Sequence, residues 1–182
     1  MSLPKLKVSE RAYIAGLIDG EGTISVTYDG RNKNNLFVRV LITNTNEELL
    51  KWLKERVGGN YHIRNKPMKE GWKKFGQWQI AHTNAIKLLE QIRNYLVIKK
   101  DQYLIAITLQ AAKKEALEER NENLKKTAKL YPPVRDENGR IIARSDMMNK
   151  ALKINSGWLD AFQYLKEQMH SSNQKGEIYA TT

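Results

Sequence analysis

Between residues 24 and 42 apolar side chains fall on every second position, and this alternation constrains the fold more than any other feature. Ile24, Val26 and Tyr28 alternate with Ser25, Thr27 and Asp29, while Leu36, Val38, Val40 and Ile42 alternate with Asn35, Phe37, Arg39 and Leu41. A period of two marks strands with one face buried and the other open, and the turn-like Gly30-Arg31-Asn32-Lys33-Asn34 between them makes a hairpin. Helical spacing precedes the hairpin over residues 10–18. A second helix follows through Leu49, Leu50, Leu53 and Val57, with cap residues at 44–47 before it and Gly58-Gly59 after it. The order then repeats: a strand around 61–66, a basic loop over 67–74, a strand around 75–81 and a helix over 84–95. Helix, hairpin, helix, hairpin, helix predicts an α+β domain whose four strands form one antiparallel sheet, with helices on one face and the other face free.

The remaining chain reads as helical. Tyr103, Leu104, Ile107, Leu109 and Ala112 suit a packed helix, and residues 113–126 its solvated continuation. Tyr131-Pro132-Pro133 and Asp136-Glu137-Asn138-Gly139 mark a loop. Trp158, Leu159, Phe162 and Leu165 line a last amphipathic helix over 156–169. A length of 182 residues suits one domain. Residues 1–110 are expected to form its core, 111–170 a helical C-terminal extension, and 171–182 a flexible tail.

Charge narrows the partners. The chain has 31 Lys and Arg against 20 Asp and Glu, a net charge of +11. Such a surplus favours polyanions, with nucleic acid ahead of an anionic membrane surface. No apolar run approaches the roughly 20 residues that span a bilayer. The N-terminus, Met1-Ser2-Leu3-Pro4-Lys5, lacks the layout of a secretory signal, and there is no cysteine to form a disulfide. The expected location is intracellular, in a prokaryotic cytoplasm or an organelle. His62, His82 and His170 are scattered and form no metal cluster.

The segment from Ala12 to Gly22 breaks two local rules. Ala12, Gly16 and Gly20 fall at i, i+4 and i+8. A glycine inside a helix costs about 1 kcal/mol relative to alanine, so a stripe of small residues needs compensation, which close approach of a partner helix supplies. Asp19 and Glu21 stand at the carboxyl end of the same helix, where the macrodipole and unpaired carbonyls disfavour negative charge. A cation resolves that conflict. A carboxylate with a free backbone carbonyl, such as that of Gly20, suits Mg²⁺, which needs few protein ligands when phosphate and water complete its shell. If the partner helix belongs to a second copy, two such ends meet at a two-fold axis, one for each strand of a duplex.

At this point the residues match a family. Ile14-Ala15-Gly16-Leu17-Ile18-Asp19-Gly20-Glu21-Gly22 resembles the signature of the LAGLIDADG homing endonucleases, with Ile for the first Leu, Gly for the variable Ala and Glu for the second Asp. The predicted element order resembles the family's αββαββα core over residues 10 to about 110. One copy of the motif resembles the homodimeric branch. The resemblance implies a metal-dependent, intron-encoded DNA endonuclease that cuts a long, partly palindromic site and leaves short 3′ overhangs. It implies that Glu21 and the Gly20 carbonyl hold Mg²⁺ or another divalent cation such as Mn²⁺, that Asp19 supports the helix end, and that Ala12, Gly16 and Gly20 form the dimer interface. The chemistry it implies is in-line attack of metal-bound water on phosphorus, with metal stabilising the leaving oxygen. Lys99, in Tyr95-Leu96-Val97-Ile98-Lys99-Lys100, matches the family's basic active-site residue. Asn44 matches a polar position near the nucleophilic water, and equally suits a helix cap. The family also contains intron maturases, so host intron RNA is a further candidate partner, and a maturase or a non-cleaving DNA-binding regulator is the alternative function.

If the apolar set Ile24, Val26, Tyr28, Leu36, Val38, Val40, Ile42, Ile63, Trp78 and Ile80 packs beneath the helices, the alternates face outward. Those are Ser25, Thr27, Asp29, Arg31, Asn35, Phe37, Arg39, Leu41, His62, Arg64, Lys66, Phe75, Gln77 and Gln79. Arg suits guanine and Gln or Asn suits adenine in the major groove of duplex DNA, while Phe37 and Leu41 suit thymine methyls. Lys33, Lys69, Lys73 and Lys74 suit phosphates, which position without specifying sequence.

Overall fold

The computed structural model describes residues 3–30, 32–64 and 74–179, with the side chains at 32–34 and 175–179 outside it. Along the chain run α1 (Val8–Glu21), β1 (Gly22–Asp29), β2 (Asn32–Asn44), α2 (Glu47–Val57), β3 (Asn60–Arg64), β4 (Phe75–Ala81), α3 (His82–Ile92) and a 3-10 turn (Arg93–Tyr95). Next come α4 (Lys100–Leu130), β5 (Val134–Arg135), β6 (Ile141–Ala143), α5 (Asp146–Ala151) and α6 (Ser156–Tyr179). The fold is α+β, with β1 to β4 in one antiparallel sheet of order β1-β2-β4-β3. Two compact units divide the chain: Met1–Ile107 with Leu165–Thr182, and Thr108–Tyr164.

In the first unit the alternation becomes a two-sided sheet. Ile24, Val40, Ile42, Trp78 and Ile80 are buried on one side, and the buried residues of the three helices include Ile14 and Ile18, Leu50 and Leu53, and Leu88 and Leu89. Each such side chain contributes about 1.5–3 kcal/mol by leaving water. Trp78 keeps its indole N–H satisfied by donating to the Gly58 carbonyl at 2.9 Å. Two members of the expected inner set depart from it. Tyr28 is 37% exposed at the last regular pair of β1 with β2, opposite Leu36, and Lys166 Nζ lies 4.1 Å from its ring centroid. Ile63 is only half-buried on the edge strand β3.

Helix α6 continues through Tyr179, so residues 171–179 are helical. Little in their polar sequence encodes this. The stabilising contacts are tertiary: Asn173 Nδ2 donates to the Ile24 carbonyl at 2.9 Å on edge strand β1, and Gln102 Nε2 donates to the Ser172 carbonyl at 3.1 Å.

The second unit holds a small hairpin where the sequence reads as a loop. Asp136 Oδ1 accepts from the amides of Asn138 at 3.0 Å and Arg140 at 2.7 Å, and so closes the turn between β5 and β6. Strands this short leave no alternation to read. Ser145 caps α5 by accepting from Met148 N at 3.2 Å. Trp158 donates to Glu119 at 2.6 Å, and Met148 and Phe162 are buried. No helix among the described residues is long and apolar enough to cross a membrane.

Candidate active site and nucleic-acid interface

Helix α1 begins at a capping box in which the Lys7 amide donates to Glu10 Oε2 at 2.8 Å. Glu10 also binds the Arg56 guanidinium, which ties the first turn to α2. Ile14, Ala15 and Ile18 are buried on one side of the helix, whereas Ala12, Gly16 and Gly20 are all exposed. A Cβ built on Gly16 or Gly20 meets nothing within 4 Å among the described residues, so no packing among them requires glycine at either position. Gly22 is the opposite case. Its Cβ would lie 2.7 Å from Ile18 Cα, and this close approach lets β1 leave directly from the helix end.

The two acids at the end of α1 have different surroundings. Asp19 is 8% exposed, and its carboxylate accepts from the amides of Val97 at 2.7 Å and Lys99 at 3.0 Å, just ahead of α4. The conflict between its charge and the α1 dipole is therefore met inside the chain by backbone donors. Lys99 Nζ in turn donates to the Asp19 carbonyl at 2.7 Å. Burial holds the Lys99 pKa below the usual lysine value, and the nearby Asp19 charge opposes that shift. Glu21 is exposed and has no hydrogen bond or ion pair among the described residues. The turn that Asp19 holds also displays Val97 and Ile98, 75% and 63% exposed.

Sheet register brings Asn44 to the same end of the molecule. Gly22 pairs with Ile42, and Asn44 lies two residues further along β2, opposite Gly76. Its Oδ1 accepts from the Asn46 amide at 2.8 Å, while Asn46 itself caps α2 through the Leu49 amide at 3.1 Å. No group of three or more His, Cys, Asp or Glu suited to a metal occurs among the described residues. One chain offers the Glu21 carboxylate and the neighbouring Gly20 carbonyl. These are donor types that suit a hard cation whose remaining ligands come from phosphate and water.

The open face of the sheet carries the expected alternates in cross-strand rows. Thr27 pairs with Phe37, Ser25 with Arg39 and Ala81, and Leu41 with Gln79 and Asn60. Gln77 sits between Thr43 and His62 and donates to Thr43 Oγ1 at 3.3 Å, and Phe75 pairs with Arg64, whose guanidinium lies 5.8 Å from its ring. Asn35 Nδ2 donates to Asp29 at 3.4 Å. Arg39 Nε is buried with no acceptor among the described residues. His62, Arg64 and Lys74 are exposed, and the other described members are half-buried. Arg31, Lys66, Lys69 and Lys73, and the Lys33 side chain, lie outside the described residues. Thr23, Thr43 and Asn60 share this face. The same alternation extended by one position finds all three, Asn60 as the residue two before His62.

The description LAGLIDADG-like domain matches residues 9–104, more than half of the chain. Among solved structures, the homing endonuclease I-CvuI in complex with a DNA target is 18% identical, with a TM-score of 0.49, covering 79% of this chain and 92% of that one. The archaeal intron-encoded homing endonuclease I-Vdi141I complexed with DNA is 19% identical, with a TM-score of 0.45, covering 86% and 98%. No curated protein matches. The domain match spans nearly all of α1 with the motif from Ile14 to Gly22, both hairpins and the Lys99 turn, and on that ground the chain belongs to the LAGLIDADG-like domain family, with a single copy of the motif.

Proposed function

We propose that this protein is a site-specific DNA endonuclease that works as a homodimer, with Glu21 and the Gly20 carbonyl holding a divalent cation, Mg²⁺ or Mn²⁺, at the scissile phosphate. The observation that carries this reading is the free Glu21 carboxylate at the end of an exposed stripe of small residues, on the helix whose neighbouring acid anchors Lys99. Two α1 helices crossing at Ala12, Gly16 and Gly20 bring two Glu21 side chains to a two-fold axis, one for each DNA strand.

When bound, the cation supplies Lewis-acid stabilisation of charge on the phosphate and lowers the pKa of water. The chain's own groups do the rest. Asp19 holds the 97–99 turn against α1 and so fixes Lys99, whose ammonium is presented to a phosphate oxygen or to the attacking water. Asn44 keeps its carbonyl engaged with Asn46 and directs its amide N–H₂ groups to that water. The sheet lies in the major groove, where Arg39, Gln77 and Gln79 address base edges and Lys74 meets the backbone. Two sheets read a long, partly palindromic site, and by its family resemblance the enzyme cuts across the minor groove to leave short 3′ overhangs.

The test is selection of a target from a randomised duplex pool by the wild-type protein, followed by incubation with and without Mg²⁺. Double-strand cleavage with Mg²⁺ alone is expected, and Glu21→Gln is expected to abolish cutting while leaving binding. Tight binding without nicking under either condition overturns the enzyme reading in favour of a non-cleaving binder. Undiminished cleavage by Glu21→Gln overturns the metal assignment.

A further inference from the structure

His82 is the only non-glycine residue among those described with a positive φ, at 57°. It follows Ala81, the last residue of β4, whose backbone is extended, and it opens α3. Along β4 the pattern is strict: Gly76, Trp78 and Ile80 are buried, while Phe75, Gln77, Gln79 and Ala81 alternate with them on the open face. A strand continued by one residue would aim position 82 into the core. The imidazole does not go there. It is exposed and stacks on Phe37, with ring centroids 4.2 Å apart and planes 23° from parallel, and Phe37 belongs to the open face opposite Thr27. The left-handed backbone turns the ring away from the core side and over the open face. There β4 ends and the sheet narrows to the β1–β2 ribbon. Glycine adopts that conformation without strain and asparagine more readily than most residues, so the backbone alone gives no reason for an imidazole. Strain of this kind concentrates where a side chain has a ligand to meet.

We propose that His82, seated on Phe37, is a specificity-determining residue whose ring N–H donates to the N7 acceptor of a purine in the major groove of the target duplex. This rests on the sheet being the reading face. Phe37 supplies an apolar floor that fixes the imidazole plane, and the ring edge is left to meet the base. The contact falls at the step from the four-stranded sheet to the ribbon, between the bases addressed by Arg39 and those addressed by the ribbon residues Thr27 and Asn35.

The experiment uses the duplex selected by the wild-type protein, with each purine replaced in turn by its 7-deaza analogue, which deletes N7 and changes nothing in the protein. Wild type is expected to lose about tenfold in affinity at one position that His82→Gly and His82→Asn no longer sense, in line with the cost of one lost base contact. Both variants adopt the left-handed backbone readily, so melting temperatures at or above wild type are expected. A 7-deaza profile unchanged in both variants overturns the proposal, because a ring that merely covers Phe37 would leave every N7 contact in place. Arg39→Ala and Gln77→Ala separate the two levels of failure. If they alter base preference while the His82 variants do not, the inference fails and the reading face stands; if none does, the reading face itself fails.

Discussion

Replacing both Gly16 and Gly20 with alanine should make the isolated chain more stable and the dimer weaker, two effects of opposite sign. In an exposed helix interior, glycine to alanine stabilises by about 1 kcal/mol. Gly16 stands mid-helix and receives that gain in full, because its added methyl meets nothing within 4 Å. Gly20 is one residue from the last of α1 and receives less. The monomer should therefore gain more than 1 and less than roughly 2 kcal/mol. At a helix–helix seam built on those glycines each inserted methyl costs about 1–3 kcal/mol, and two-fold symmetry places every substitution there twice. Four inserted methyls at about 1 kcal/mol or more each cost at least about 4 kcal/mol, which raises the dimer dissociation constant by nearly three orders of magnitude or more. Sedimentation velocity over a concentration series reads the second effect. Urea unfolding at concentrations below dissociation reads the first, as a higher midpoint at unchanged slope. A stabilised monomer that dimerises like wild type refutes the interface; a destabilised monomer refutes the claim that no packing among the described residues needs these glycines.

Asp19→Asn should destabilise the fold by about 2–4 kcal/mol in urea titration, since the amide can accept only one of the two amide protons and turns a donor toward the other; a loss below about 1 kcal/mol would show that the 97–99 turn does not depend on the carboxylate. The lowered Lys99 pKa means that the folded protein gives up this proton at a lower pH than the unfolded chain, so stability rises with pH from the folded pKa up to the ordinary lysine value near 10.4. Lys99→Met should lose that rise, and wild type should gain on it toward alkaline pH in paired urea melts with chelator present. Lys113, lowered by burial, contributes the same sign to both proteins and cancels. A constant difference between the two across that window would count against burial of the Lys99 charge.

Some of this protein could be read before any coordinates. Apolar alternation with period two dictates which residues of a strand share a face, and so Ile24, Val40 and Trp78 are legible as core and Arg39, Gln77 and Gln79 as the open side. The glycine stripe and the paired acids of α1 are legible because each breaks a local energetic rule. What lay beyond reach depends on groups distant in sequence. That Asp19 is satisfied by the amides of Val97 and Lys99 follows from a contact 78 to 80 residues away, which no local propensity encodes. Residues 171–179 are helical because of partners such as Ile24, 149 residues earlier. The side of the sheet on which His82 lies was decided by one backbone dihedral of 57°, against the side its place in the alternation dictates. Periodicity assigns faces because the covalent geometry of a strand is the same everywhere, but which backbone donor meets which carboxylate is settled only when the chain closes on itself.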